Sequence, residues 1–196
     1  MSLVQRLFKN FIKKRGMLIG KQILPYIKAN EKILDFGCGD MAVSEFISKN
    51  RDVKITGIDV VDYNSTELSS MLYSGGKLPF KDNHFDVVFA SFVLHHTDDP
   101  AFYFNELSRV SKKKIILIED TFVNRFEKAF TYGFDWLTNH IESLNVKVPF
   151  NFRSVSEWKT MVKTGGLKLK KMKRFYPNIV PFIPTRNVVM VIEKAN

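Results

Sequence analysis

Cys38 is the only cysteine in the chain. No internal disulfide can form, and the reducing cytoplasm is the expected setting. Four histidines, of which only His95 and His96 are adjacent, give no cluster for zinc once further thiolates are missing. No apolar run approaches the roughly 18 residues that cross a bilayer, and the charges scattered through the first residues do not read as a signal peptide. Repeats and low-complexity tracts are lacking too. Acidic residues are outnumbered 20 to 30, for a net charge of +10. The excess is uneven: residues 1–32 carry eight Lys/Arg against Glu31, and residues 158–196 carry nine against Glu193, while the middle is acidic. Such ends either attract an anionic partner or are solvated lysines that keep the chain soluble.

What is present is concentrated in Ile33-Leu34-Asp35-Phe36-Gly37-Cys38-Gly39-Asp40-Met41. An apolar run, an acid and two glycines spaced by one residue read as a buried parallel strand ending in a turn where a ligand can approach the backbone. The spacing is not G-x-G-x-x-G, so a dinucleotide fits less well than S-adenosylmethionine, whose ammonium Asp35 can meet. Lys54–Ile58 reads as a second strand closed by Asp59, which lies twenty residues beyond Gly39. That is about the ~20-residue offset at which an acid takes ribose hydroxyls. The plainer reading is that Asp59 starts a turn.

Further along stand Leu78-Pro79-Phe80-Lys81-Asp82, then Phe85-Asp86-Val87 leading to Leu94-His95-His96, and later Glu106-Leu107-Ser108-Arg109-Val110. In LPF-x-D-x-x-FD-x-V, L-H-H and E-x-x-R-V the chain resembles the class I S-adenosylmethionine-dependent methyltransferases of the type 11 group. The likeness is close over about residues 30–120 and looser beyond. It implies that Asp35, Gly37, Cys38 and Gly39 hold the methionine part of the donor, that Asp59 takes the ribose, and that Val60 packs on the adenine. Ser91 and Phe92 would line the donor. Two positions depart from the family pattern: Met41 stands where a third glycine is usual, and Ser74, followed by Gly75, where an acid commonly meets the adenine amino group.

The alternation of strands and helical stretches predicts an α/β fold, a Rossmann-like three-layer α/β/α sandwich. Its sheet is mostly parallel, and the resemblance implies an antiparallel C-terminal strand. One domain is expected to fill residues 1–196. Basic helices over 1–30, broken at Gly16, would form a lid or a peripheral membrane contact. The cofactor core would be 31–120, a substrate cover 121–153, and a helix with a strand hairpin 154–196. Ser154-Val155-Ser156-Glu157 has capping-box spacing, so a helix starts there. Pro177, Pro181 and Pro184 mark a loop between the last two strands.

Methyl transfer is an in-line displacement that needs alignment and exclusion of water more than acid–base help. His95 and His96 are the candidate bases; otherwise one of them caps the helix beginning near Asp98 or shapes the pocket. Asp120 and Trp136 are candidate acceptor contacts. The aromatic residues of 122–150 form either an acceptor pocket or the core-facing side of a helix. With Cys38 inside the cofactor loop there is no thiol left to attack a pyrimidine, and Ser91–Leu94 lacks the paired prolines that hold a flipped base. The expected reaction is therefore methylation of a small-molecule or lipid-like acceptor. An RNA methyltransferase or RNA-binding module, and a non-catalytic S-adenosylmethionine-binding protein, remain as alternatives.

Overall fold

Strands covered on both faces need apolar side chains at successive positions, and three segments supply them: Ile33-Leu34, Val87–Ala90 and Ile115–Ile118. The computed structural model describes residues 3–141, 149, 151–175 and 186–194, with side chains described from 13 to 133 and again from 149 within those bounds. Its elements run α1 (Leu3–Ile23), β1 (Lys32–Phe36), α2 (Ala42–Asn50), β2 (Lys54–Asp59), β3 (Ser70–Leu72), β4 (Phe85–Ser91) and α3 (Pro100–Val110). They continue with β5 (Ser111–Thr121), α4 (Arg125–Ile141), α5 (Val155–Thr164), β6 (Leu167–Phe175) and β7 (Arg186–Lys194).

One seven-stranded sheet results, in the order β3-β2-β1-β4-β5-β7-β6. Only β7 runs against its neighbours, pairing antiparallel with β5 and with β6. Alternate side chains feed two cores. Ile33, Val87, Phe89, Ile116 and Ile118 pack with Ile19 and Ile23 of α1 and Ile47 of α2. Leu34, Val88, Ala90, Ile115 and Leu117 pack with Phe104 and Leu107 of α3 and Trp158 and Val162 of α5. That is the three-layer sandwich expected, with the parallel sheet and the antiparallel final strand.

Gly16 does not break the first helix. α1 runs unbroken through it, and a Cβ there would lie 2.7 Å from the Ala42 Cβ, while one at Gly20 would lie 2.5 Å from the Phe46 ring. These glycines let α1 and α2 approach closely, and that packing outweighs a helix-propensity cost of about 1 kcal/mol each. The α5 capping box is present: Ser154 Oγ accepts from Glu157 N, and the Glu157 side chain accepts from Ser154 N. The side chains of Leu3, Val4, Leu7, Phe8, Phe11, Ile12 and Trp136, and the loop with Pro177, Pro181 and Pro184, lie outside the described residues. Among the described residues no helix is long and apolar enough to cross a membrane.

From β1 the chain moves first to β2 and β3 and then returns to β4 on the other side. Ligands of open α/β sheets sit beyond the strand ends at this reversal. There β1 delivers Asp35–Gly39, β2 delivers Asp59, β4 delivers Ser91 and Phe92, and β5 delivers Glu119 and Asp120.

Candidate functional site

The two glycines after β1 adopt left-handed backbone, φ 69° at Gly37 and 49° at Gly39. A Cβ on Gly37 would strike Val93 at 2.2 Å, whereas one on Gly39 would project into open space. Gly39 N–H donates to Asp59 Oδ2 at 2.8 Å, and Asp59 Oδ1 accepts from Val60 N at 2.7 Å. The acid after β2 therefore braces the glycine turn directly, and the two motifs, twenty residues apart, are one structure. A cleft of about 190 Å³ opens beside them, lined by Cys38, Gly39, Asp59, Val61, Asp62, Tyr63 and residues 70–72 among others.

Asp35 lies beneath this turn, buried, accepting a 2.6 Å hydrogen bond from Ser44 Oγ. Burial raises its carboxyl to about 7, the Ser44 bond opposes the shift, and Asp59 and Asp40 add to it. Desolvation is the dominant cause. Burial, then Asp35 and Asp59, also push the Cys38 thiol up, so it stays protonated and inert. Val60 is 59% exposed and free to meet a ligand.

Ser74 and Gly75 do not line the cleft. They sit in the turn after β3, where Tyr73 OH donates to Gly76 O and Gly76 N–H donates to Tyr103 OH at 3.1 Å. Met71 and Leu72 occupy the cleft edge instead. The LPF passage and the E-x-x-R helix end prove to be two halves of one clamp. Glu106 accepts from Leu78 N at 2.8 Å, and Arg109 donates to the Leu78 and Phe80 carbonyls, to Asp82 and to Glu106. Charge-assisted bonds of this kind are the strong ones, and they hold the chain entering β4 against α3.

On the other side of the crevice, Glu119 is fully buried and gathers three donors. Its Oε1 accepts from Val93 N at 3.3 Å and Leu94 N at 2.9 Å, and its Oε2 lies 2.6 Å from His95 Nδ1. His95 is itself buried, stacked at 4.4 Å on Phe152 and 4.1 Å from the His96 ring. Burial, with His95 alongside, pushes His96 down to about 3. Neither histidine caps α3; Asp99 does, accepting from Ala101 N and Phe102 N at 3.0 Å. Phe92 closes β4 with a positive φ of 56°, and the Arg15 guanidinium of α1 stands 5.2 Å over its ring. Asp120 accepts a hydrogen bond from Asn187 of β7.

The family model described as "Methyltransferase domain" matches residues 34–118, which hold the glycine turn, Asp59, the clamp and the histidine pair. Residues 34–118, a little under half of the chain, therefore carry the sequence pattern of a methyltransferase domain. The ubiquinone biosynthesis O-methyltransferase of Hahella chejuensis is 26% identical over 81% of this chain and 63% of its own. Cycloartenol-C-24-methyltransferase 1 of Oryza sativa subsp. japonica is 32% identical over 44% of this chain and 29% of its own. The chain thus spans less than two thirds of either curated relative. Among solved structures, an S-adenosylmethionine-dependent methyltransferase of Aquifex aeolicus superposes with a TM-score of 0.64 at 17% identity, over 90% of this chain and 89% of its own. Geranyl diphosphate C-methyltransferase of Streptomyces coelicolor gives 0.69 at 12% identity, over 90% and 78%. These likenesses are of fold.

Several residues of the site escape a linear reading. Gly57 in mid-strand β2 is required because a Cβ there would lie 2.8 Å from both Cys38 Sγ and Met41 Cε. A glycine interrupting a strand was the available signal. Arg15, Tyr103 and Phe152 reach the site from distant elements and carry no local motif. Met41 keeps the left-handed backbone (φ 61°) that explains the family's glycine there, and it compensates with a fully buried side chain.

Proposed function

We propose that this protein transfers the methyl group of S-adenosylmethionine to a small-molecule or lipid-like acceptor. The observation that carries this reading is the bond from Gly39 N–H to Asp59, which makes the glycine turn and the β2 acid a single cradle at the sheet's reversal point. The residues fit the donor. Gly39 leaves open space where a side chain would stand, and Asp35, Asp40 and Asp59 surround the turn with carboxylates suited to a ligand bearing a sulfonium and an ammonium. Asp59 would take the ribose, Val60 and Leu72 the adenine faces, and the Asp35–Gly39 segment the methionine part.

The bound donor supplies an activated methyl group, so the chain's own task is to align and enclose. Glu119 fixes the backbone at Val93 and Leu94 and holds His95, which sets where Phe92 and the acceptor wall stand. His96, pushed down to about 3, is neutral near pH 7 and too weak a base to suit proton abstraction there. An acceptor atom that carries no proton to remove needs no base from His96. Arg15 over Phe92 makes α1 a lid at the mouth of the site. A ubiquinone biosynthesis O-methyltransferase and a cycloartenol-C-24-methyltransferase among the relatives support a small-molecule or lipid-like acceptor.

Calorimetry with S-adenosylmethionine and S-adenosylhomocysteine tests the cradle, and homocysteine release with quinone precursors, phenols and lipid head groups tests transfer. Binding of both nucleosides with turnover of one acceptor class is expected. Folded protein that ignores both nucleosides at millimolar concentration overturns the proposal.

A further inference from the structure

α4 begins four residues beyond β5, so it rises from the same end of the sheet as the crevice. On its first two turns lies an open cleft of about 470 Å³, lined among the described residues by Arg125, Lys128, Ala129 and Tyr132. Resting on the methyl-transfer reading above, we propose that this cleft seats an acidic group of the acceptor. The acceptor is then a carboxylate or a phosphate ester with an aromatic or apolar body.

Three observations converge on it. First, the cleft's cations lack carboxylate partners while their neighbours have them. Glu127, on the same helix, is bonded by Arg186 and by Val123 N–H. Glu157 is taken by Ser154, through both N–H and Oγ, and feels Arg153 and Lys128 only as nearby charges. Among the described residues, neither Arg125 nor Lys128 forms an ion pair, although both are exposed.

Second, Lys128 is held rather than loose. Its Nζ stands 5.3 Å from the Phe122 ring centroid and 5.5 Å from that of Tyr132. Cation–π contact restrains the side chain without neutralising it, so the ammonium still presents full charge to a ligand. Arg125, three residues earlier, adds a planar fork suited to carboxylate or phosphate. Both stand in the first turns of a 17-residue helix, where the backbone dipole also favours an anion.

Third, an unbroken series of rings joins this cleft to the methyl-transfer side. Tyr132 meets Phe152 at 5.1 Å, Phe152 stacks on His95 at 4.4 Å, and His95 meets His96 at 4.1 Å. Tyr132, half-buried, is the ring that an acceptor seated on Lys128 and Arg125 can touch, and the buried Phe152 and His95 tie it to the β4–β5 side. An acceptor without a charge would gain nothing from the two cations.

The test uses the full chain, with inorganic phosphate and sodium benzoate as probes followed by amide chemical shifts. Amides of residues 125–132 and 152–153 are expected to move with either probe. In the R125Q/K128Q double variant the response should weaken at least tenfold. K159Q/K163Q, which removes equal charge from exposed positions of α5, should leave it intact. Movement spread over all basic surfaces, or surviving in R125Q/K128Q, overturns the proposal. A phosphate-only response selects phosphate esters, and a benzoate response selects carboxylates.

The second arm compares phenol with hydroxybenzoate as methyl acceptors. The acidic acceptor should show a KM raised tenfold or more in R125Q/K128Q while S-adenosylmethionine affinity is unchanged. Turnover of neutral acceptors alone, indifferent to the double variant, counts against the cleft. Loss of nucleoside binding in the parent protein counts instead against the methyl-transfer reading.

Discussion

The two sides of the crevice are built on opposite principles. The β1–β2 side is carboxylate and backbone: Asp35, Asp40 and Asp59 around two left-handed glycines, with bonds running between residues close in sequence or twenty apart. The β4–β5 side is rings and long-range supports: His95 held by Glu119, Phe152 stacked on His95, Arg15 over Phe92 and Tyr132 against Phe152. A side that meets one fixed ligand repeats one solution, and its residues cluster in a short motif. On the proposed function, the β4–β5 side meets an acceptor particular to this protein and draws on whatever elements the fold brings near.

The comparison breaks most visibly at Glu119. Glu119→Ala strips three donors, two of them buried, of their acceptor, and breaking a buried charged network costs about 3–5 kcal/mol. Chemical denaturation should show that loss, with Glu119→Gln recovering part of it by still accepting from the backbone. A midpoint unmoved in the alanine variant would mean that the β4–β5 side is not held as described.

Asp59→Ala strikes the other side. A charge-assisted bond contributes roughly 1.5–3 kcal/mol, so S-adenosylmethionine affinity should fall between about tenfold and a hundredfold. Stability should change less, because Gly39 N–H and Val60 N–H lie beside an open cleft where water can replace the carboxylate. Unchanged affinity in calorimetry would remove Asp59 from the ribose.

The unequal construction also explains what could be read in advance. Strand ends, the glycine turn and the acid after β2 were legible because each is a local pattern with one backbone meaning. Gly16 was misread for the opposite reason: its local meaning is a helix breaker, and only the contact with Ala42 of α2 reverses it. Phe152 gave no signal at all, and Glu119, legible as an acid at the end of β5, gave no sign of its partner His95, 24 residues away. The Glu106–Arg109 motif was visible as a pattern, but its purpose as a clamp on Leu78–Asp82 needed coordinates.

Met41 offers a smaller and sharper contrast, between family habit and this chain. Glycine there would relieve a left-handed strain of about 1–2 kcal/mol, which argues for a more stable Met41→Gly. The side chain is fully buried against Gly57, however, and emptying such a site costs about 2–5 kcal/mol. The variant should be net less stable by roughly 1–3 kcal/mol in urea. A gain in stability would mean that packing under the glycine turn is worth less than its backbone strain.

The least disruptive probe leaves the chain intact and reads its protons. Asp35 is raised from an ordinary 3.8 to about 7, so between those values the folded chain holds a proton that the unfolded chain has lost. Asp35 therefore makes folding less favourable as pH climbs from about 4 to 7 and adds no further slope above that. A cationic ligand beside the carboxylate favours its charged form, which pulls the value back down. Binding of S-adenosylmethionine near pH 6 should then release a fraction of one proton, and affinity should rise from pH 5 to pH 8. Calorimetry in buffers of differing ionisation enthalpy counts that proton, and Asp35→Asn should abolish the release. Proton uptake, or a flat affinity profile, would mean that Asp35 does not sense the donor's charge and that the acidic side of the crevice is structural alone.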